Sequence, residues 1–214
     1  MRRLLVRKET HLMPNYLLIK HCNTMKTLIK YTSLLLLILA SVNVFSQSKW
    51  SIEFRPTINF PTADLDDSKI GTGYGFELTG AYRFMEHLQG YAGWSFNSFT
   101  VEDSNVDLDE TGYTFGLLFI HPLGTSESLS YLLRAGATFN HIEIEDAEGD
   151  IVADSGHGFG YQLEIGVNYR FGNQWDLRPT IRYRALSRDL DIDNESIKVD
   201  LNYMSFGLGI AKSF

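Results

Sequence analysis

The chain has 214 residues, 44% of them hydrophobic and 13% aromatic, with a formal charge of −7. After residue 46 the imbalance deepens to 12 Lys and Arg against 25 Asp and Glu, which excludes nucleic acid and argues against a polybasic membrane attachment. Those 168 residues suit one domain; they hold no apolar run near the ~20 residues of a spanning helix, and mean hydropathy is slightly negative at −0.12.

The N-terminal region reads as an export signal. Met25, Lys26 and Lys30 supply a short basic stretch, residues 34–40 are unbroken apolar, and Val44, Phe45 and Ser46 end the run. This is the three-part layout of a secretory signal peptide, shorter in its apolar core than a membrane anchor. The expected divisions are an upstream extension over 1–24, a signal peptide over 25–46 cleaved before Gln47, and a mature domain over 47–214. Cys22 is the one cysteine and lies in the discarded part. The mature chain is therefore expected to carry no disulfide, thiol nucleophile or thiolate metal site.

Eight strands follow in chain order, each alternating large apolar residues with polar ones. Successive side chains of a strand point to opposite faces, so each strand has one greasy face and one polar face. Residues 50–60 set Trp50, Ile52, Phe54 and Ile58 against Glu53, Arg55, Thr57 and Asn59. Residues 72–84 present Tyr74, Phe76, Leu78, Tyr82 and Phe84, and residues 88–101 present Leu88, Ala92, Trp94 and Phe96. Tyr113, Phe115, Leu117 and Phe119 mark a fourth strand, less clean because 117–120 is continuously apolar. The fifth sets Leu129, Tyr131, Leu133, Ala135, Ala137 and Phe139 against Ser130, Arg134, Thr138 and Asn140. The sixth, 161–171, alternates Tyr161, Leu163, Ile165, Val167, Tyr169 and Phe171 with Gln162, Glu164, Gly166, Asn168 and Arg170. The seventh sets Trp175, Leu177, Ile181 and Tyr183 against Asp176, Arg178, Thr180, Arg182 and Arg184.

The eighth strand changes parity. Ile197, Val199, Leu201 and Tyr203 are odd, whereas Met204, Phe206, Leu208, Ile210 and Phe214 are even. Either a β-bulge near Tyr203 re-phases the strand or Tyr203 faces inward. An apolar face opposite a charged one, repeated eight times behind an export signal, predicts an all-β protein: an eight-stranded antiparallel up-and-down transmembrane β-barrel. A soluble ligand-binding barrel would place these faces the other way round. Connections near 85–87, 121–127 and 172–174 are short, while 61–71, 102–111, 143–157 and 187–196 are longer. Short turns face the periplasm and long loops the outside, so both termini are expected on the periplasmic side.

Tyr82-Arg83-Phe84 and Tyr169-Arg170-Phe171 close two strands, and Gly207-Leu208-Gly209-Ile210 leads to a terminal Phe214. With the signal peptide, these features resemble the small outer-membrane β-barrel proteins similar to OmpA and OmpX, the outer membrane protein β-barrel domain group. The resemblance spans the mature chain. It implies Phe214 as a signal for the barrel-assembly machinery, outer-membrane lipid as the surroundings, and structural, adhesive or resistance roles.

By parity, Glu53, Arg55, Glu77, Arg83, Arg134, Glu164, Arg170, Asp176, Arg178, Arg182 and Arg184 face the lumen. Every inward base is Arg, whose rigid fork matches carboxylates. The expected interior is a cross-linked ion-pair plug; the alternative is a small passive pore for ions or small solutes, lined by Arg. The long connections carry 18 acids, among them Asp107, Asp109, Glu110, Glu143, Asp154, Asp189, Asp191 and Asp193, against Lys69 and Arg188. Such a face would attract a divalent cation or a basic partner. The Asp189, Asp191, Asp193 alternation lacks the turn glycine of a calcium loop, and Leu190 and Ile192 suggest strand extension instead. His121, His141 and His157 show no pairing with a nucleophile that would mark a lipid-modifying enzyme. The expected protein is non-enzymatic and monomeric, with no cofactor.

Overall fold

The computed structural model describes residues 49–63, 69–101, 106–145, 151–192 and 195–214, with 190–192 and 195–197 described by backbone alone. The upstream extension, Cys22, the signal peptide and its cleavage point lie outside the described residues. So do Asp64, Asp66, Asp67, Glu102, Asp103, Asp146, Glu148, Asp150 and Asp193.

The described strands are β1 (Trp50–Pro61), β2 (Ile70–Arg83), β3 (Leu88–Val101), β4 (Asp107–Pro122), β5 (Leu129–Glu145), β6 (Ile151–Asp154), β7 (Gly158–Arg170), β8 (Trp175–Ile192) and β9 (Glu195–Ser213). All pairings are antiparallel, each strand pairs with the next around the ring, and β9 returns to β1. The sheet is thus a closed eight-stranded barrel. β6 is the upper part of the stave that β7 occupies. Both pair with the edge of β5 that β4 does not use, β7 along Leu129 to Asn140 and β6 along Glu143 to Glu145. The segment between them carries Gly156 in the left-handed region, φ 64°.

β1 shows why the sequence closes in this sense. Trp50, Ile52, Phe54, Ile58 and Phe60 are exposed, while Ser51, Glu53, Arg55, Thr57 and Asn59 are buried. The exposed apolar set continues round the barrel through Leu78, Trp94, Phe115, Leu133, Leu163, Ile181 and Leu208. An apolar band facing water on this scale would drive aggregation; facing lipid it is the solvent match, and closure leaves no unpaired strand edge in hydrocarbon.

Two expectations are corrected, and one left open is decided. The stretches 102–111, 143–157 and 187–196 are in good part strand: β4 begins at Asp107, β5 runs to Glu145, and β8 and β9 pair as far as Ile192 with Glu195. The parity change in the last strand involves no bulge, because the β8–β9 register is unbroken from Trp175–Lys212 to Ile192–Glu195. Val199, Leu201 and Tyr203 simply point inward, each 2% exposed or less. Finally, Glu110 is no loop acid; it is fully buried in the lumen.

The lumen is layered. At the long-loop end Ile70, Phe99, Leu108, Ile142, Ala153, Leu186, Val199, Leu201 and Tyr203 form one apolar cluster contributed by β2, β3, β4, β5, β6, β8 and β9. Below it lies the charged layer, and towards the short turns Ala81, Tyr91, Leu118 and Leu132 cover one wall. Inward Leu118, with Ile120 packed beside it, explains the continuous apolar run of β4.

Candidate functional site

Glu53 and Arg55 on β1, Glu77 on β2, Arg134 on β5, Glu164 on β7 and Arg178, Arg182 and Arg184 on β8 converge in the middle of the barrel. Glycine makes the room. On β9 the inward positions Gly207 and Gly209 leave the space that Arg55 and Glu53 fill; a Cβ on Gly209 would collide with the Glu53 carboxylate.

Glu53 and Glu77 are the hubs. Arg134 donates to Glu77 Oε1 at 3.0 Å and to Glu53 Oε2 at 2.9 Å, and its guanidinium lies 4.8 Å from the Tyr91 ring centre. Arg178 donates to Glu53 Oε2 at 2.7 Å and to Asn168 Oδ1 at 2.7 Å, with Asp176 at 3.5 Å. Arg182 donates to Glu77 Oε2 at 2.6 Å, and Arg184 reaches the same oxygen at 3.1 Å. Arg55 donates to Glu164 Oε2 at 2.6 Å and to Glu53. The side chains of this set are 3% exposed or less.

Glu110 completes the arrangement from above. It accepts from Arg184 Nη1 at 2.7 Å, from Asn97 Nδ2 at 2.9 Å, and from Asn140 and the Tyr203 hydroxyl. Five buried guanidiniums (55, 134, 178, 182, 184) therefore face five buried carboxylates (53, 77, 110, 164, Asp176). An ion held this way is satisfied only by this geometry, since desolvation removes the alternative of water.

Arg170 and Arg83 belong to the short-turn mouth. Arg170 Nε lies 3.4 Å from Asp176 with its side chain 54% exposed. Arg83 is partly exposed and borders a polar recess with Gln89, Asn168, Asp176 and Arg178, without an ion pair among the described residues. Arg188 is 6% exposed and spends its donors on backbone, including the Asn140 and Phe159 carbonyls at 3.0 Å each. Phe214 docks by its backbone N–H on the Trp50 carbonyl at 2.8 Å, the last rung of barrel closure.

The described histidines sit at the two ends of the barrel. His87 and His121 pack ring to ring at 4.5 Å at the short-turn end. At the other end His141 and His157 stack at 4.4 Å. His141 Nδ1 faces two carboxylates there, Asp154 at 3.2 Å and Glu143 at 3.5 Å.

The charged inward set read from the sequence leaves out Glu110, and with it the uncharged Gln162, Tyr91 and Tyr203 that join the network. Extending the alternation of β4 downwards from Tyr113 through Gly112 and Thr111 would have placed Glu110 inside; its acidic neighbours Asp107 and Asp109 gave it the look of a loop.

Comparison with known proteins agrees with this architecture. Among solved structures, Neisserial surface protein A superposes with a TM-score of 0.60 at 13% identity, covering 77% of this chain and 97% of that one. The outer membrane protein OprG from Pseudomonas aeruginosa gives 0.52 at 14% identity over 78% and 96%. The outer membrane protein AlkL, determined in lipid bilayers, gives 0.52 at 15% identity over 81% and 93%. At these identities the likeness is one of fold. No curated protein matches the chain in sequence. The family described as outer membrane protein beta-barrel domain matches residues 32–214, and the chain belongs to that family.

Proposed function

We propose that this protein is a non-enzymatic integral barrel of the outer membrane, exported through a cleaved signal peptide, whose lumen is sealed and whose role is structural or surface-interacting. The observation that carries this reading is the lumen itself. Five Arg and five acids interlock at its centre, and an apolar layer drawn from seven strands lies across its outer end. An eight-stranded barrel is just wide enough for side chains to fill, and these two layers support that reading. Such a body offers the cell a rigid membrane anchor for the strand extensions and loops at one end.

The test is solute flux. Vesicles reconstituted with the purified barrel should swell in sucrose or potassium iodide no faster than protein-free vesicles. Swelling that scales with protein content would replace this reading with the small passive pore.

A further inference from the structure

Outside the lumen, the outward faces of β4, β5, β6 and β7 form lateral rows in register. Tyr113, Phe139 and Phe159 make the last aromatic row towards the long-loop end. Two residues further along β5, His141 stands next to the His157 ring. Two residues further again, Asp109, Glu143 and Asp154 lie directly opposite one another across three strands. Like charges opposed in this way destabilise a sheet, and among the described residues no Lys or Arg pairs with them. No Lys or Arg occurs in 102–111 or 143–157, and among the described residues the ion-pair contacts of Glu143 and Asp154 are to His141 alone.

The geometry points to a divalent transition-metal cation. His141, Glu143 and Asp154 each bring a ligand atom to a common place, all within 4.8 Å of one another. Zinc binds His nitrogen and carboxylate oxygen at about 2.0–2.2 Å, so two ligands of a tetrahedral site stand about 3.3–3.5 Å apart. The His141 Nδ1 distances, 3.2 Å to Asp154 and 3.5 Å to Glu143, match that span. Asp154 Oδ1 is further held by the Gly156 N–H at 2.8 Å, an outer contact of the kind that orients metal ligands. A second observation stands apart from the trio. Asp109, on the same face as Glu143 and directly opposite it, is 8% exposed; its carboxylate accepts a hydrogen bond from the Ser98 side chain, while its Oδ1 has no hydrogen-bond partner. A cation beside Glu143 would supply the missing positive charge.

We propose that His141, Glu143 and Asp154 bind one zinc-class divalent cation at the outer rim, just above the aromatic row, with Asp109 opposite Glu143 on the neighbouring strand. The mixed nitrogen and oxygen set favours zinc-class ions over calcium or magnesium, which take oxygen ligands. The site is separate from the lumen, so it stands or falls independently of whether the barrel conducts.

The experiment is calorimetric titration of ZnCl2 into the purified full barrel, without a histidine tag and stripped with EDTA, with Co2+ absorbance as a second probe. One Zn2+ per chain is expected, weakened at least tenfold by H141A and by D154N. Asp154 is 48% exposed in its side chain, so D154N keeps the test open if H141A does not fold. H121A, at the opposite end, should leave the titration unchanged. Absence of zinc binding, or binding insensitive to H141A and D154N, overturns the proposal; loss of binding in H121A alone would assign the metal to the His87–His121 pair instead.

Discussion

Replacing Glu77 by alanine tests the charged layer at its most exposed logical point. Glu77 faces four guanidiniums, but three keep another acid when it goes: Arg134 keeps Glu53 at 2.9 Å, Arg184 keeps Glu110 at 2.7 Å, and Arg55 keeps Glu164 at 2.6 Å. Arg182 keeps none among the described residues; its one ion pair is to Glu77, and its Nε and one terminal nitrogen already lack partners. Breaking a buried pair on one side costs about 3–5 kcal/mol, which is roughly two to three and a half decades in the unfolding equilibrium. The assay is urea unfolding from lipid vesicles, followed by the fluorescence of lipid-facing Trp50, Trp94 and Trp175. Lys198→Ala serves as the comparison, because its pair with Asp200 is exposed and should be worth at most about 1 kcal/mol. Glu77→Ala with Arg182→Met should recover most of the loss, since no buried charge is then left alone. Wild-type stability in Glu77→Ala, or a double variant no better than the single one, would refute the reasoning.

Other consequences follow from the layers. Leu163→Arg, mid-strand on the lipid face, should cost about 2–4 kcal/mol in vesicles, whereas Phe159→Arg near the rim should cost about 0–1; equal costs would contradict the placement of the apolar band. Gly209→Val should abolish the heat-modifiable folded band on gels, because its side chain meets Glu53, while Gly172→Ala in an open turn should leave that band intact. Tyr203→Phe removes a hydrogen bond to a buried carboxylate and should cost about 1.5–3 kcal/mol in the urea assay; no change would mean that Glu110 does not need that donor.

The fold was legible because strand parity is a local property. In β1 the alternation of large apolar and polar residues is followed by burial residue by residue, and in β7 burial follows it as far as Ile165. Parity misleads where the lumen changes character. It equates apolar with outward, yet Leu108, Ile142, Val199 and Leu201 are apolar and inward, filling the cap above the charged layer. That is why the last strand looked re-phased. Glu110 was hidden for a different reason: Asp107 and Asp109 gave its stretch the look of a loop, although the alternation of β4 points it inward, and its partner Arg184 lies 74 residues away on β8. The grouping of His141 with Asp154 likewise arises from the return of β6 along β5, across a stretch that reads as loop.

Single-channel recording in a planar bilayer tests the sealed lumen most directly. The unmodified barrel should show no steady conductance, and Glu164→Ala, which takes the 2.6 Å partner from Arg55, should show brief flickering as the charged layer loosens. A stable, anion-selective conductance from the unmodified barrel, unchanged by Glu164→Ala, would contradict the account and make the protein a small pore.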